Sequence, residues 1–144
     1  MPVLLQSFIV NGALISLAIL IHYEMLRLLS VLIPKLPTRH RLKVVTGLLG
    51  ALTAHVVEIW MFGIGYYFLI DLGQFGTLAG NYNHSILDSV YFSFASYTSL
   101  GLGDIYPTEY LRFLAGLETL TGLVLITWTA SFMYIEMQKF WDDR

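Results

Sequence analysis

Thr98-Ser99-Leu100-Gly101-Leu102-Gly103-Asp104 lies between a short helix-like segment and a long apolar one, and its two glycines flank a single apolar residue. Such a stretch can point several consecutive backbone carbonyls at one axis, where they replace the water shell of a dehydrated cation. In an extended chain successive carbonyls point opposite ways, so the backbone has to alternate between right-handed and left-handed dihedrals. Glycine takes the left-handed ones at little cost. Gly101 and Gly103 supply those positions, Leu100 and Leu102 face outward and hold the strand, and Ser99 adds a hydroxyl at the inner mouth. The expected coordinating set is therefore Thr98, Ser99, Leu100, Gly101, Leu102 and Gly103. A bare Gly-x-Gly more often marks a turn, so the surrounding chain decides the reading.

Composition sets that context. Of 144 residues, 56% are hydrophobic and 12% charged, about half the charged share of a soluble domain. This is the composition of a membrane chain. Four of the eight basic residues, Lys35, Arg39, Arg41 and Lys43, fall in one short linker. No basic face of the kind nucleic acid requires is seen. Cysteine is absent, which excludes disulfides, thiolate nucleophiles and thiolate metal sites. Met1-Pro2 opens without a basic n-region or a small-residue cleavage site, so the first apolar stretch is expected to be retained as a span.

Three long apolar segments and one short one follow. Val3 to Ile33 is about 31 residues, roughly 46 Å as a helix and more than enough to cross a hydrocarbon core of about 30 Å. Pro34 and Pro37 are expected to stop it. The predicted organisation is a first transmembrane helix over 1–33, a basic linker over 34–41, and a second unit over 42–144. Within that unit the second apolar segment takes 42–70, the short one 85–98, the filter stretch 99–104 and the third long segment 108–140. The 71–84 segment is expected to be a loop. Short loops rich in Lys and Arg stay in the cytoplasm, which places the linker and the carboxyl terminus inside, the amino terminus outside, and Asp104 near the external mouth.

The 85–98 segment is about 14 residues, roughly 21 Å as a helix, too short to span. It opens on a capping box, Ser85-Ile86-Leu87-Asp88. A re-entrant half-helix fits, aiming the negative pole of its dipole at a cation below the filter, with Tyr91, Phe92, Phe94 and Tyr97 as an aromatic cuff. Non-helical backbone at membrane depth is tolerated where it is buried or lines a water-filled path.

From about residue 42 to 140 the chain resembles the pore-loop potassium channel family. Ser99 stands where the family signature has threonine, Leu100 where it has valine and Leu102 where it has tyrosine; Asp104 and Ile105-Tyr106-Pro107-Thr108 continue the match. The resemblance implies an all-α membrane protein of three transmembrane helices plus a re-entrant pore helix and selectivity filter, with 42–144 as the pore domain, 42–70 as its outer helix, 85–98 as its pore helix, 99–104 as its filter and 108–140 as its inner helix. It further implies a homotetramer, since one loop cannot close a pore. The implied activity is passive potassium conduction, with potassium ions in the filter and no other metal or cofactor. Asp104, Tyr97 and Phe94 are the implied filter supports. Arg112 and Gly122 fall where the family often has a basic residue near the filter and a glycine hinge. Two departures stand out. Leu102 lacks the hydroxyl that in the family bonds to the pore helix, and that helix lacks tryptophan. A wider or more mobile filter would admit sodium, so a non-selective monovalent cation channel is the alternative.

No Arg-repeat helix is present, so a voltage sensor of the usual kind is excluded, and no cytoplasmic ligand domain is expected after Arg144. The expected gate lies on the inner helix: Gly122 as a hinge, with Gly116 as a second flexible point, unless these glycines serve close helix packing, and Leu123, Ile126, Ala130 and Tyr134 facing the axis as a dewetting constriction. His55 and Glu58 sit one turn apart in the second span, and Glu118 falls at similar depth in the third. A hydrogen-bonded cluster of the three is expected, either as a tie between helices or as a proton sensor. The competing enzymatic reading, an intramembrane metalloenzyme using His55 and Glu58 with His22 or Glu118, lacks the second histidine four residues on; a non-conducting channel relative is a third reading. The expected partners are the lipid bilayer and identical subunits, with no nucleic acid and no soluble substrate. The expected location is a prokaryotic inner cell membrane.

Overall fold

The computed structural model of the chain describes residues 2–141. Its helices are α1 (Val3–Lys35), α2 (His40–Asp71), α3 (Ile86–Tyr97) and α4 (Leu111–Trp141), joined by two short strands, β1 (Leu78–Gly80) and β2 (Ile105–Pro107). Among the described residues three helices are long and apolar enough to cross a membrane: α1, α2 and the Leu111–Lys139 part of α4. Each leaves a broad apolar surface exposed on the single chain, for example Leu20, Leu49 and Leu120. That is the signature of a protein whose solvent on those faces is lipid or another subunit.

Helix α1 does not stop before Pro34. The proline lies in its last turn and the helix ends at Lys35, with the Leu36 amide bonded to the Ile33 carbonyl. The proline removes one ladder bond, to the Ser30 carbonyl, and the helix ends one residue later. Lys43 Nζ donates to the Pro34 carbonyl at 3.1 Å across the turn. Helix α2 begins at His40, two residues earlier than the hydropathy suggests.

The short α3 lies against α2 and α4 around a core that includes Phe62, Tyr66, Tyr97, Leu114 and Leu125. Contact with α2 is close because Gly63 has no side chain; a Cβ there would sit 2.7 Å from the Val90 Cα.

The 71–84 segment is more than a loop. Its β1 pairs antiparallel with β2, Leu78 opposite Pro107 and Gly80 opposite Ile105. Thr108 N donating to the Thr77 carbonyl and Asn81 N donating to the Asp104 carbonyl extend the pairing at either end. Three-residue strands carry too little alternation to be read from sequence. The inner helix starts at Leu111 and not at 108, after Glu109 takes a left-handed φ of 46°.

The pore loop and the polar networks beneath it

Ser85 caps α3 by accepting from the Asp88 amide at 3.0 Å. The Asp88 carboxylate reaches past Ser85 to the Asn83 amide, at 2.8 Å, so the box closes on the incoming loop rather than on the cap residue itself. The other end of α3 leads into the glycine-containing stretch. Ser99, Gly101 and Gly103 have φ values of 60°, 56° and 81°, so left-handed residues alternate with the intervening leucines. The glycines accept this conformation freely; at Ser99 it carries a cost of roughly 1–2 kcal/mol. Ser99 takes it because it also ends the helix. Its amide donates back to the Ser96 carbonyl and the Gly101 amide to the Ala95 carbonyl, each at 3.0 Å, in the manner of a left-handed helix cap. Leu100 and Leu102 are 64% and 56% exposed on the single chain. The Thr98 hydroxyl donates to the Phe94 carbonyl at 2.7 Å.

Asp104 is held from both sides. Tyr91 donates its hydroxyl to the Asp104 carboxylate at 3.0 Å, giving the pore helix a phenolic donor in the absence of tryptophan. On the other side the Asp104 carbonyl lies so close to Gly80 that a Cβ there would approach it to 2.2 Å. In the loop outside the spans, Tyr82 bonds Ser89 at 3.0 Å. Burial pushes its hydroxyl above the usual tyrosine range; the bond to Ser89 opposes that shift, and the charge of Asp88 adds to it.

The three ionisable residues expected to cluster divide into two networks. Glu118, fully buried on α4, accepts from Tyr66 at 2.6 Å and from Ser93 at 2.5 Å. It therefore ties the inner helix to the outer helix and the pore helix without touching His55 or Glu58. The second network gathers at the Tyr97 hydroxyl. Glu58 accepts the Tyr97 hydroxyl and pairs with His22 Nδ1 at 3.0 Å. His55 Nδ1 lies 2.9 Å from the Tyr97 hydroxyl and its Nε2 2.9 Å from Thr129 Oγ1. His22 Nε2 reaches the same hydroxyl at 3.2 Å. His22 was the missing member. In sequence it belongs to the polar residues crowding the end of the first span, and nothing in α1 alone says which face meets α2. The network joins α1, α2, α3 and α4 at Tyr97, the residue that ends the pore helix.

Gly122 does not stand in open space as a hinge would. A Cβ on it would lie 2.1 Å from the Tyr97 carbonyl oxygen, whereas one on Gly116 would meet nothing within 4 Å. Thr119 on the same helix donates to the Ser96 carbonyl at 2.9 Å, so α4 is seated directly on the carboxyl end of α3. Leu123, Ile126, Ala130 and Tyr134 are all exposed on the single chain. Thr127 and Ser131, also exposed, turn their hydroxyl hydrogens onto the Leu123 and Thr127 carbonyls. Arg112, at the start of α4, is exposed. Phe94, expected to support the filter, is 38% exposed on the single chain.

No curated protein and no solved structure matches the chain. Residues 54–139, more than half of it, match the ion channel family. That stretch runs from α2 through the capped α3 and the left-handed turns into α4, the parts that the geometry binds into one unit; the chain belongs to the two-transmembrane ion channel family, of pore-loop potassium channel type.

Proposed function

We propose that the chain is the subunit of a potassium channel, four copies enclosing a pore in which Thr98, Ser99, Leu100, Gly101, Leu102 and Gly103 coordinate dehydrated potassium. The observation that carries this reading is the alternation of left-handed residues at 99, 101 and 103 directly after a capped, non-spanning helix. Conduction is passive, and the pore helix turns its negative end toward the ion. The exposed row of Leu123, Ile126, Ala130 and Tyr134 faces the axis and supplies the apolar constriction. Lys and Arg in the linker favour a cytoplasmic linker, and with it an external filter mouth.

A non-selective cation pore is the second reading. Its support is that Leu102 offers no hydroxyl, so that the outer end of the filter is braced through Tyr91 and Asp104 instead. Current through the purified chain in a planar bilayer, with potassium on one side and sodium on the other, separates the two. A reversal potential near the potassium equilibrium value is expected. A reversal near zero with robust current would replace potassium selectivity with the second reading, and silence across voltage and pH would count against conduction altogether.

A further inference from the structure

We propose that His22, His55 and Glu58 form a binding site for a divalent transition metal of the zinc class, one per subunit. The donors come from two helices, and one ligand atom from each residue lies within 4.8 Å of the others. His22 Nδ1 is 3.0 Å from one Glu58 oxygen and His55 Nδ1 is 3.4 Å from the other. Zinc with bonds of about 2.0–2.1 Å in tetrahedral geometry separates its donors by roughly 3.3 Å, and each histidine stands close to that distance from one of the two Glu58 oxygens. The side chains of His22 and Glu58 are wholly buried and that of His55 is 13% exposed. Nitrogen and carboxylate donors of this kind suit zinc rather than calcium or magnesium.

The outer nitrogens are placed to support a metal. Both Nε2 atoms face Thr129 Oγ1, at 2.9 Å from His55 and 3.2 Å from His22, and a ring that binds metal through Nδ1 carries its hydrogen on Nε2. The two lone pairs of the Thr129 oxygen then accept both hydrogens. An outer hydroxyl fixing the tautomer of ligating histidines is the usual supporting arrangement. Tyr97 beside Glu58, or a water, is placed to complete the coordination.

One donor borders open space: a cavity of about 340 Å³ between α2 and α4 is lined by His55 and Thr129 together with Ile126, Ala130 and Met133. Metal bound by His22, His55 and Glu58 clamps α1 to α2 next to Tyr97, so the first helix acquires a role as a metal-controlled brace on the pore helix.

The test uses the full chain in lipid nanodiscs, stripped with chelator and titrated with Zn²⁺, with bound metal read by atomic emission and coordination by the visible spectrum after Co²⁺ substitution. The chain has four histidines and no cysteine, so H40Q/H84Q leaves only the proposed pair. Both the wild type and that double variant are expected to hold one zinc and to give the intense cobalt absorption of a tetrahedral site. H22Q/H55Q is expected to lose the metal, and T129V, close in shape to the original, to weaken binding about 10- to 100-fold. Wild-type protein that binds no zinc would overturn the proposal without recourse to any variant, and so would retention of the metal by H22Q/H55Q.

Discussion

Gly122→Ala is the substitution whose outcome the geometry fixes most sharply. The added methyl carbon would lie 2.1 Å from the Tyr97 carbonyl oxygen and 3.0 Å from its carbon, about 1 Å inside ordinary van der Waals separation. The obstacle is backbone at the end of a buried helix, so no rotamer change relieves it; α4 or α3 must move. Overpacking of this kind costs about 1–3 kcal/mol. Against it stands the gain of about 1 kcal/mol from replacing a helical glycine by alanine. Gly116→Ala has that gain with no clash, since nothing lies within 4 Å. The two variants should therefore differ by about 1–3 kcal/mol, Gly116→Ala raising the denaturation midpoint in detergent and Gly122→Ala failing to raise it or lowering it. Because Tyr97 immediately precedes the filter, unitary conductance should fall in Gly122→Ala and remain in Gly116→Ala. Equal midpoints and equal conductance would refute the claim that Gly122 serves close packing against the pore helix, and would restore the hinge.

Tyr91→Phe removes the donor to Asp104 and should lower the potassium-to-sodium permeability ratio, measured from bi-ionic reversal potentials, with the fold intact by circular dichroism. Tyr66→Phe leaves one oxygen of the buried Glu118 without its 2.6 Å partner and should cost about 1–3 kcal/mol in chemical denaturation. Ser85→Ala deletes the cap on α3 and should cost about 1 kcal/mol, detected as faster amide hydrogen exchange confined to the first turn of that helix.

Hydropathy and local chemistry pointed to the three long helices and the short one, because runs of apolar residues and the Ser85 cap act within a few residues of themselves. The left-handed backbone at Gly101 and Gly103 follows from the residue type in the same way. Ser99 does not, because its φ answers to the carbonyls of Ser96 and Ala95 at the end of α3. The β1–β2 pair depends on a meeting between segments about 25 residues apart, with Gly80 admitted close to the Asp104 carbonyl. Neither segment displays a strand pattern alone. Counting depth along the spans put His55, Glu58 and Glu118 at one level, but depth carries no information on azimuth. In space Glu118 turns to Tyr66 and Ser93, while His22, on a helix outside the minimal pore unit, completes the group at Glu58.

The direction of three hydroxyl hydrogens bears on what these side chains can hold. Thr98 at the start of the glycine-containing stretch, and Thr127 and Ser131 on α4, each give their hydrogen to a carbonyl four residues back. What these exposed hydroxyls keep for a ligand is lone pairs alone. An anion brought to this surface finds no hydrogen to hold in place of its water, whereas a cation finds oxygen at every one of these steps. In the proposed pore these neutral hydroxyls would therefore favour positive ions with no acidic residue beside them, because the helix has consumed their donors.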